Sequence, residues 1–231
     1  MKKIWKIVIE LVLLVAILGL VYAIYNSIMQ PVNFNKQKAQ RENVAIQRLK
    51  DIRTLQVAYK GVSGKFVSTV DSLCDFYNNG KMKIVMQVGS EDDSLAMVHT
   101  QAVKKQLGNK VTGAQLYDLF LKGDTDLVFS VETEVPVKDT LFLNRPNFCV
   151  DSLKYIPFSG GEKVQMESVN RMVSGVNVPL FEARMPWKSI LKGLDNQLRI
   201  NLDAQCKDQN RYEGLQVGSV TTPNNNAGNW E

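Results

Sequence analysis

The pattern of apolar and polar positions separates a long N-terminal helical stretch from the rest of the chain. Residues 7–29, IVIELVLLVAILGLVYAIYNSIM, are apolar on every side and carry one charge, Glu10. At 1.5 Å per residue, about 20 residues cross the roughly 30 Å of bilayer hydrocarbon, so this stretch predicts a transmembrane helix. Pro31 follows, where a missing backbone donor and a ring clash predict a kink or a break, with Asn26, Asn33 and Asn35 weakening the helix around it. From Lys36 the apolar positions narrow to one stripe: Val44, Ala45, Leu49, Ile52, Leu55 and Tyr59 recur at spacings of three and four, with Arg41, Arg48, Lys50 and Arg53 on other faces. Residues 30–60 therefore predict an amphipathic helix that continues the anchor and ends at Gly61-Val62-Ser63-Gly64. Its stripe is expected to carry a sheet.

Residues 61–231 read as one globular region. Ser68 and Thr69 are N-cap candidates for a short helix over Val70–Phe76, stopped by Asn78-Asn79-Gly80. Lys81–Val88 alternates as a strand does. Residues 91–122 predict a helical insertion, with Gly108-Asn109 and Gly113 between its two apolar runs. Residues 127–131 and 135–142 predict strands. Residues 163–171 and 178–184 predict a hairpin around the turn Ser174-Gly175. Trp187–Cys206 predicts an amphipathic helix whose first turn suits Pro186.

Composition adds little beyond this pattern: 45% of residues are hydrophobic and 22% charged, with a net charge of +5. Much of the positive charge flanks the apolar run, at Lys2, Lys3 and Lys6 before it and Lys36, Lys38, Arg41 and Arg48 after it. That placement fits membrane interfaces and solvated helix faces, and no nucleic-acid partner is expected. The apolar run is longer than the core of a cleaved signal peptide and no A-x-A site follows, so a retained anchor is expected. The short tail, residues 1–6, is expected on the cytoplasmic side and the bulk of the chain on the outer side. Cys74, Cys149 and Cys206 are widely spaced and odd in number, which fits scattered thiols better than a disulfide framework.

Catalytic chemistry is not expected. His99 is the only histidine, no Cys or His pair has metal-ligand spacing, and Ser159-Gly160-Gly161 lacks the Lys-Ser/Thr pair of a phosphate loop and reads as a tight turn. No cofactor and no small-molecule substrate are expected. Glu10 is the ionisable group that stands out, because a charge inside the membrane is costly unless it meets a cation.

The residues around Glu10 carry a resemblance. Ile9-Glu10-Leu11, then Val15-Ala16-Ile17-Leu18-Gly19, then Ala23-Ile24, resemble the N-terminal helix of type IV pilins and type II secretion pseudopilins. That helix carries a glutamate at its fifth mature position and an Ala-Ile-x-Gly step further on. With Glu10 on that glutamate, Lys6 takes the first mature position and Ala16, Ile17 and Gly19 fall in register. Ala58-Tyr59 through Gly64-Lys65-Phe66 to Leu73 resembles the segment after the pilin helix. Arg211–Ser219, a Pro-Asn-rich loop and Gly228-Asn229-Trp230 resemble the end of a major pseudopilin.

Two departures stand beside this resemblance. Prepilins have Gly before the processing cut and usually Phe after it, where this chain has Trp5 and Lys6. The loop that binds calcium in many pseudopilins corresponds to Ser219–Ala227, which has no Asp or Glu, whereas calcium takes roughly six to eight oxygens, usually with carboxylates among them. No metal site is expected there.

The expected fold class is α+β: a long N-terminal helix, its first half transmembrane, packed on an antiparallel sheet in a pilin-like way. The resemblance implies a structural subunit of a type II secretion or type IV pilus-like machine in a bacterial inner membrane, its domain on the periplasmic side. Self-association would run through Glu10, Lys6 and Gly19. The alternative is a permanently anchored scaffold of an envelope secretion complex, with Val44, Ala45, Leu49, Ile52, Leu55 and Tyr59 forming a face for a partner helix.

Overall fold

The computed structural model describes residues 2–108 and 110–231, with side chains from Trp5 onward; Met1 of the expected tail and Asn109 of the expected helix end lie outside the described residues. In chain order the elements are α1 (Lys2–Ser63), α2 (Val70–Asn79), β1 (Lys81–Val88), α3 (Ser94–Leu107), α4 (Gly113–Leu121), β2 (Phe129–Pro136), β3 (Gln165–Val173), β4 (Val176–Pro186), α5 (Trp187–Ile190), α6 (Asn196–Asp208) and β5 (Gly214–Gly218). Short 3-10 turns follow β2 at Val137–Asp139 and precede β3 at Val150–Lys154. The class is α+β, a long N-terminal helix followed by antiparallel sheets.

Of the kink or break expected at Pro31, no break occurs, and the amphipathic stretch continues the anchor as expected: α1 is helical from Lys2 to Ser63 with Pro31 inside it. The reason is tertiary. Gln30 is hydrogen-bonded to Asp195, Pro31 is half-buried and Phe34 is buried, so contacts outside the helix hold the turn that proline weakens.

The chain divides into two compact units. The first comprises the helix up to Thr54, Ser68–Val70 and Asp151–Glu231, and contains a three-stranded sheet in the order β3-β4-β5, antiparallel throughout. The hairpin β3–β4 closes with Val173 opposite Val176, leaving Ser174-Gly175 as a two-residue turn with φ of 50° and 82°. Positive φ at both central residues matches the right-handed twist of the strands. Phe181, Ala183 and Met185 alternate along one face of β4 and are fully buried, with Leu215 and Val217 of β5 buried beside them in sequence register.

The single helix expected over Trp187–Cys206 is two. Gly193 takes φ of 82°, which a helix does not allow, and Asp195 then caps α6 by accepting from the Leu198 N–H at 2.9 Å. The C-terminal stretch is stitched to β5. Asn229 N–H donates to the Gln216 carbonyl at 3.0 Å, its side chain accepts from the Gln216 N–H at 3.1 Å, and its amide donates to the Gly214 carbonyl at 2.9 Å.

The second unit comprises Leu55–Val67 and Asp71–Val150. Here β1 has the expected bounds, Lys81–Val88, and pairs antiparallel with β2, from Lys81 opposite Pro136 to Val88 opposite Phe129. One strand, β2, replaces the two expected over residues 127–142. The expected insertion holds α3 and α4, so it lies between two paired strands. Asp93 caps α3 and Thr112 with Gln115 forms a capping box on α4. Leu116, Leu127, Phe129 and Val131 make the core of this region, and Gly113 starts α4 where a Cβ would sit 2.0 Å from the Ser130 carbonyl. Two separate sheets thus stand where one was expected.

Candidate functional site

The candidate site is the surface of α1, and its two halves present different chemistry. Between Ile7 and Ile28 the apolar side chains are bare, with Ile9 53% and Leu20 63% exposed. One helix is therefore long and apolar enough to cross a membrane. Lys6 and Glu10 lie one turn apart on nearly the same face. Among the described residues neither side chain is ion-paired, and both are exposed. Gly19 has open space around the position a Cβ would occupy. Nine residues at about 100° each put Gly19 roughly 180° from Glu10, so the residues singled out for assembly occupy opposite faces of one helix.

The second half of α1 is covered on one side. Ala45, Leu49, Ile52 and Leu55 are fully buried within the chain itself, whereas Val44 is 41% exposed and Tyr59 half-buried. This corrects the reading of that stripe as a face for a partner helix: four of its six residues have no surface left to offer. The stripe serves the chain's own core.

Polar residues placed on other faces turn out to flank the buried stripe. Within the first unit, Arg41 donates to the carbonyls of Ile190 and Lys192 at 3.1 and 2.8 Å, with its guanidinium carbon 4.9 Å from the Phe158 ring centroid. Arg48 donates to the Tyr155 carbonyl at 2.5 Å, and burial lowers its pKa while the Asp51 charge acts in the opposite sense. Arg53 donates to the Asn226 carbonyl and, at 2.7 Å, to the Glu231 carboxylate, a hydrogen bond that holds that carboxyl below its ordinary range. Gln30 donates to Asp195 at 2.5 Å, and the Lys38 ammonium stands 4.9 Å from the Trp187 ring centroid while pairing with Glu42. A weak signal for these anchors was present in the spacing, since Arg41 and Arg48 are seven residues apart and in register with Phe34, Ala45 and Ile52.

Elsewhere, Ser159-Gly160-Gly161 is a tight turn: the buried Ser159 hydroxyl donates to the Ile156 carbonyl and accepts from the Glu162 N–H. Glu162 accepts from Ser189 and Lys192, and the Ser189 bond is the main cause of its lowered pKa. His99 lies 2.9 Å from Asp124 on an exposed surface, joining α3 to the residues after α4. The three cysteines are unbridged. A cleft of about 190 Å³ is lined by Lys38, Glu42, Trp187, Cys206, Tyr212 and Trp230 among others. Among the described residues, the indole N–H groups of Trp187 and Trp230 are buried without a hydrogen-bond partner.

Compared with family models, with curated proteins and with solved structures, the chain gives no match. The long N-terminal apolar helix followed by a small antiparallel sheet is compatible with a pilin-like fold.

Proposed function

We propose that this chain is a membrane-anchored, pseudopilin-like structural subunit of a type II secretion or type IV pilus-like machine, which assembles through its N-terminal helices. The reading places it in a bacterial inner membrane with the folded units on the periplasmic side. The observation that carries it is α1: one uninterrupted helix, bare and apolar over residues 7–28, that becomes the buried spine of a folded domain without a break. Opposite placement of Glu10 and Gly19 suits a head-to-tail contact, which uses two different faces of each subunit. In that contact the Glu10 face of one helix meets the Gly19 face of the next, where a small residue lets the backbones approach, and the Lys6 ammonium one turn from Glu10 on the same helix supplies the cation that balances it.

The test is disulfide cross-linking between helices in native membranes through two cysteines on opposite faces, Leu13→Cys and Val15→Cys, in a Cys149→Ser, Cys206→Ser background, with and without Glu10→Lys. Loss of the cross-linked ladder with Glu10→Lys, and its retention with a neutral change such as Leu14→Ala, is the expected result. An unchanged ladder with Glu10→Lys removes the reading.

A second reading is favoured by Trp5 and Lys6 at the processing position: a permanently anchored scaffold of such a complex. The intact mass of the protein extracted from its membrane separates the two. A chain beginning at Lys6 favours the polymerising subunit, and one that keeps Met1–Trp5 favours the scaffold.

A further inference from the structure

Trp5 and Tyr25 are 20 residues apart on α1, about 30 Å at 1.5 Å per residue, which equals the thickness of bilayer hydrocarbon. Both rings are exposed, 71% and 61%, and aromatic rings of this kind collect at the two membrane–water boundaries. Gln30 lies five residues beyond Tyr25. That is about 7.5 Å, at the outer edge of the headgroup layer, which adds about 5–7.5 Å on each side to bring the bilayer to roughly 40–45 Å. At this level the helix is already held by the first unit: Gln30 is bonded to Asp195 at 2.5 Å, Met29 and Pro31 are half-buried, and Phe34, one turn on, is buried. No linker separates the span from the fold.

We propose that the turn from Lys192 to Gln197, between α5 and α6, rests at the outer edge of the phospholipid headgroup layer beside α1, so that this part of the chain is seated on the membrane surface. The inference rests on α1 crossing the bilayer, as in the reading above, and not on assembly. The direction of α6 agrees with it. Asp195 at its start meets Gln30, whereas Cys206 and Gln209 near its end line one cleft with Lys38 and Glu42, eight to twelve residues further along α1. α6 therefore runs away from the membrane, from its capped first turn towards water.

The surface offered to lipid is polar and nearly balanced in charge. Gly193, Asn196 and Gln197 are exposed, with Ile200 exposed one turn into α6. The Asp195 carboxylate is occupied by Gln30 and the Leu198 N–H, Lys192 by Glu162 and the Ser159 carbonyl, and Arg199 by Asp203. A neutral phosphatidylcholine surface accordingly suffices.

The test uses the full-length chain with Cys149→Ser and Cys206→Ser, reconstituted in phosphatidylcholine vesicles. Nitroxide labels are placed singly at Gln197→Cys, Asp208→Cys and Leu14→Cys, and collision with a water-soluble nickel chelate is measured. The label at 14 should be shielded as in hydrocarbon, the label at 208 fully accessible, and the label at 197 severalfold less accessible than 208. Ile200→Cys gives a second position on the same turn and should fall between 197 and 208. Equal accessibility at 197 and 208, with 14 shielded, overturns the seating and leaves the span intact. A label at 14 open to the chelate removes the span and the proposal together, and neither result depends on whether subunits assemble.

Discussion

From Ile7 to Ile28 every large apolar side chain of α1 is more than half exposed, while twenty residues further along the same helix Leu49, Ile52 and Leu55 have no exposed surface. The two halves differ in how their apolar residues are arranged. In the first they surround the helix, which suits a solvent that is itself apolar; in the second they form one stripe, which suits a core on one side and water on the other. Total hydrophobicity thus marks the half that is apolar enough to cross a membrane, and periodicity marks the half that packs on protein.

The sharpest way to break this contrast is to truncate one leucine in each half. Leu49→Ala should cost about 2–5 kcal/mol by loss of burial and creation of a cavity, seen as a Tm lowered by several degrees in detergent solution. Leu14→Ala should leave Tm unchanged. Equal effects would mean that the halves are not differently packed.

A smaller effect is expected at Arg41. Arg41→Ala removes donors from two loop carbonyls and a guanidinium from the Phe158 ring, and should lower stability by about 1.5–3 kcal/mol in urea unfolding. Arg41→Lys should recover only part of it, because an ammonium does not reproduce the fork that reaches both carbonyls. Full recovery would assign the anchor to charge alone.

The smallest expected effect is the pH dependence of the second half's attachments. Asp195 is lowered from its ordinary 3.8 mainly by the Leu198 backbone bond and then by Gln30, and Glu231 from 4.5 mainly by Arg53. Groups lowered on folding contribute stability that is present above these ordinary values and is lost as pH falls through the folded values. Asp203, raised by burial, works in the opposite sense, becoming protonated first in the folded state. The urea midpoint should therefore decline modestly between pH 5 and pH 3, and Asp195→Asn with Glu231→Gln should flatten that decline. A decline of the same size in the double variant would locate the acid sensitivity elsewhere.

Several elements were legible because local chemistry alone determines them. Lys81–Val88 has the alternation of a strand, and Ser174-Gly175 has the residues that two positive φ angles require. Where long-range contacts decide, the sequence was a poorer guide. Pro31 signals a break that contacts around Gln30 and Phe34 override. The end of α5 was marked by Gly193 and the cap at Asp195, yet the apolar spacing runs through both and suggests one helix. The pairing of β1 with β2 across residues 91–122 depends on where α3 and α4 pack, and a strand's own alternation does not name its partner.

At the candidate site, Glu10, Lys6 and Gly19 stand out in the sequence, and their opposite placement follows from helical geometry. Arg41, Arg48 and Arg53 do not stand out. A basic residue beside an apolar stripe ordinarily points to water; what makes these three anchors is a set of loop carbonyls, at Tyr155, Ile190, Lys192 and Asn226, that carry no signature of residue type.

The attachments at Gln30, Lys38, Arg41 and Arg48 are distributed over 18 residues of α1, about 27 Å of its length. A fold fixed at one point can swivel, whereas one keyed at four points along a shaft cannot. Torque applied to the apolar half of the helix is carried to the β3-β4-β5 sheet, and the azimuth of Glu10 on that shaft also sets the azimuth of everything that sheet displays.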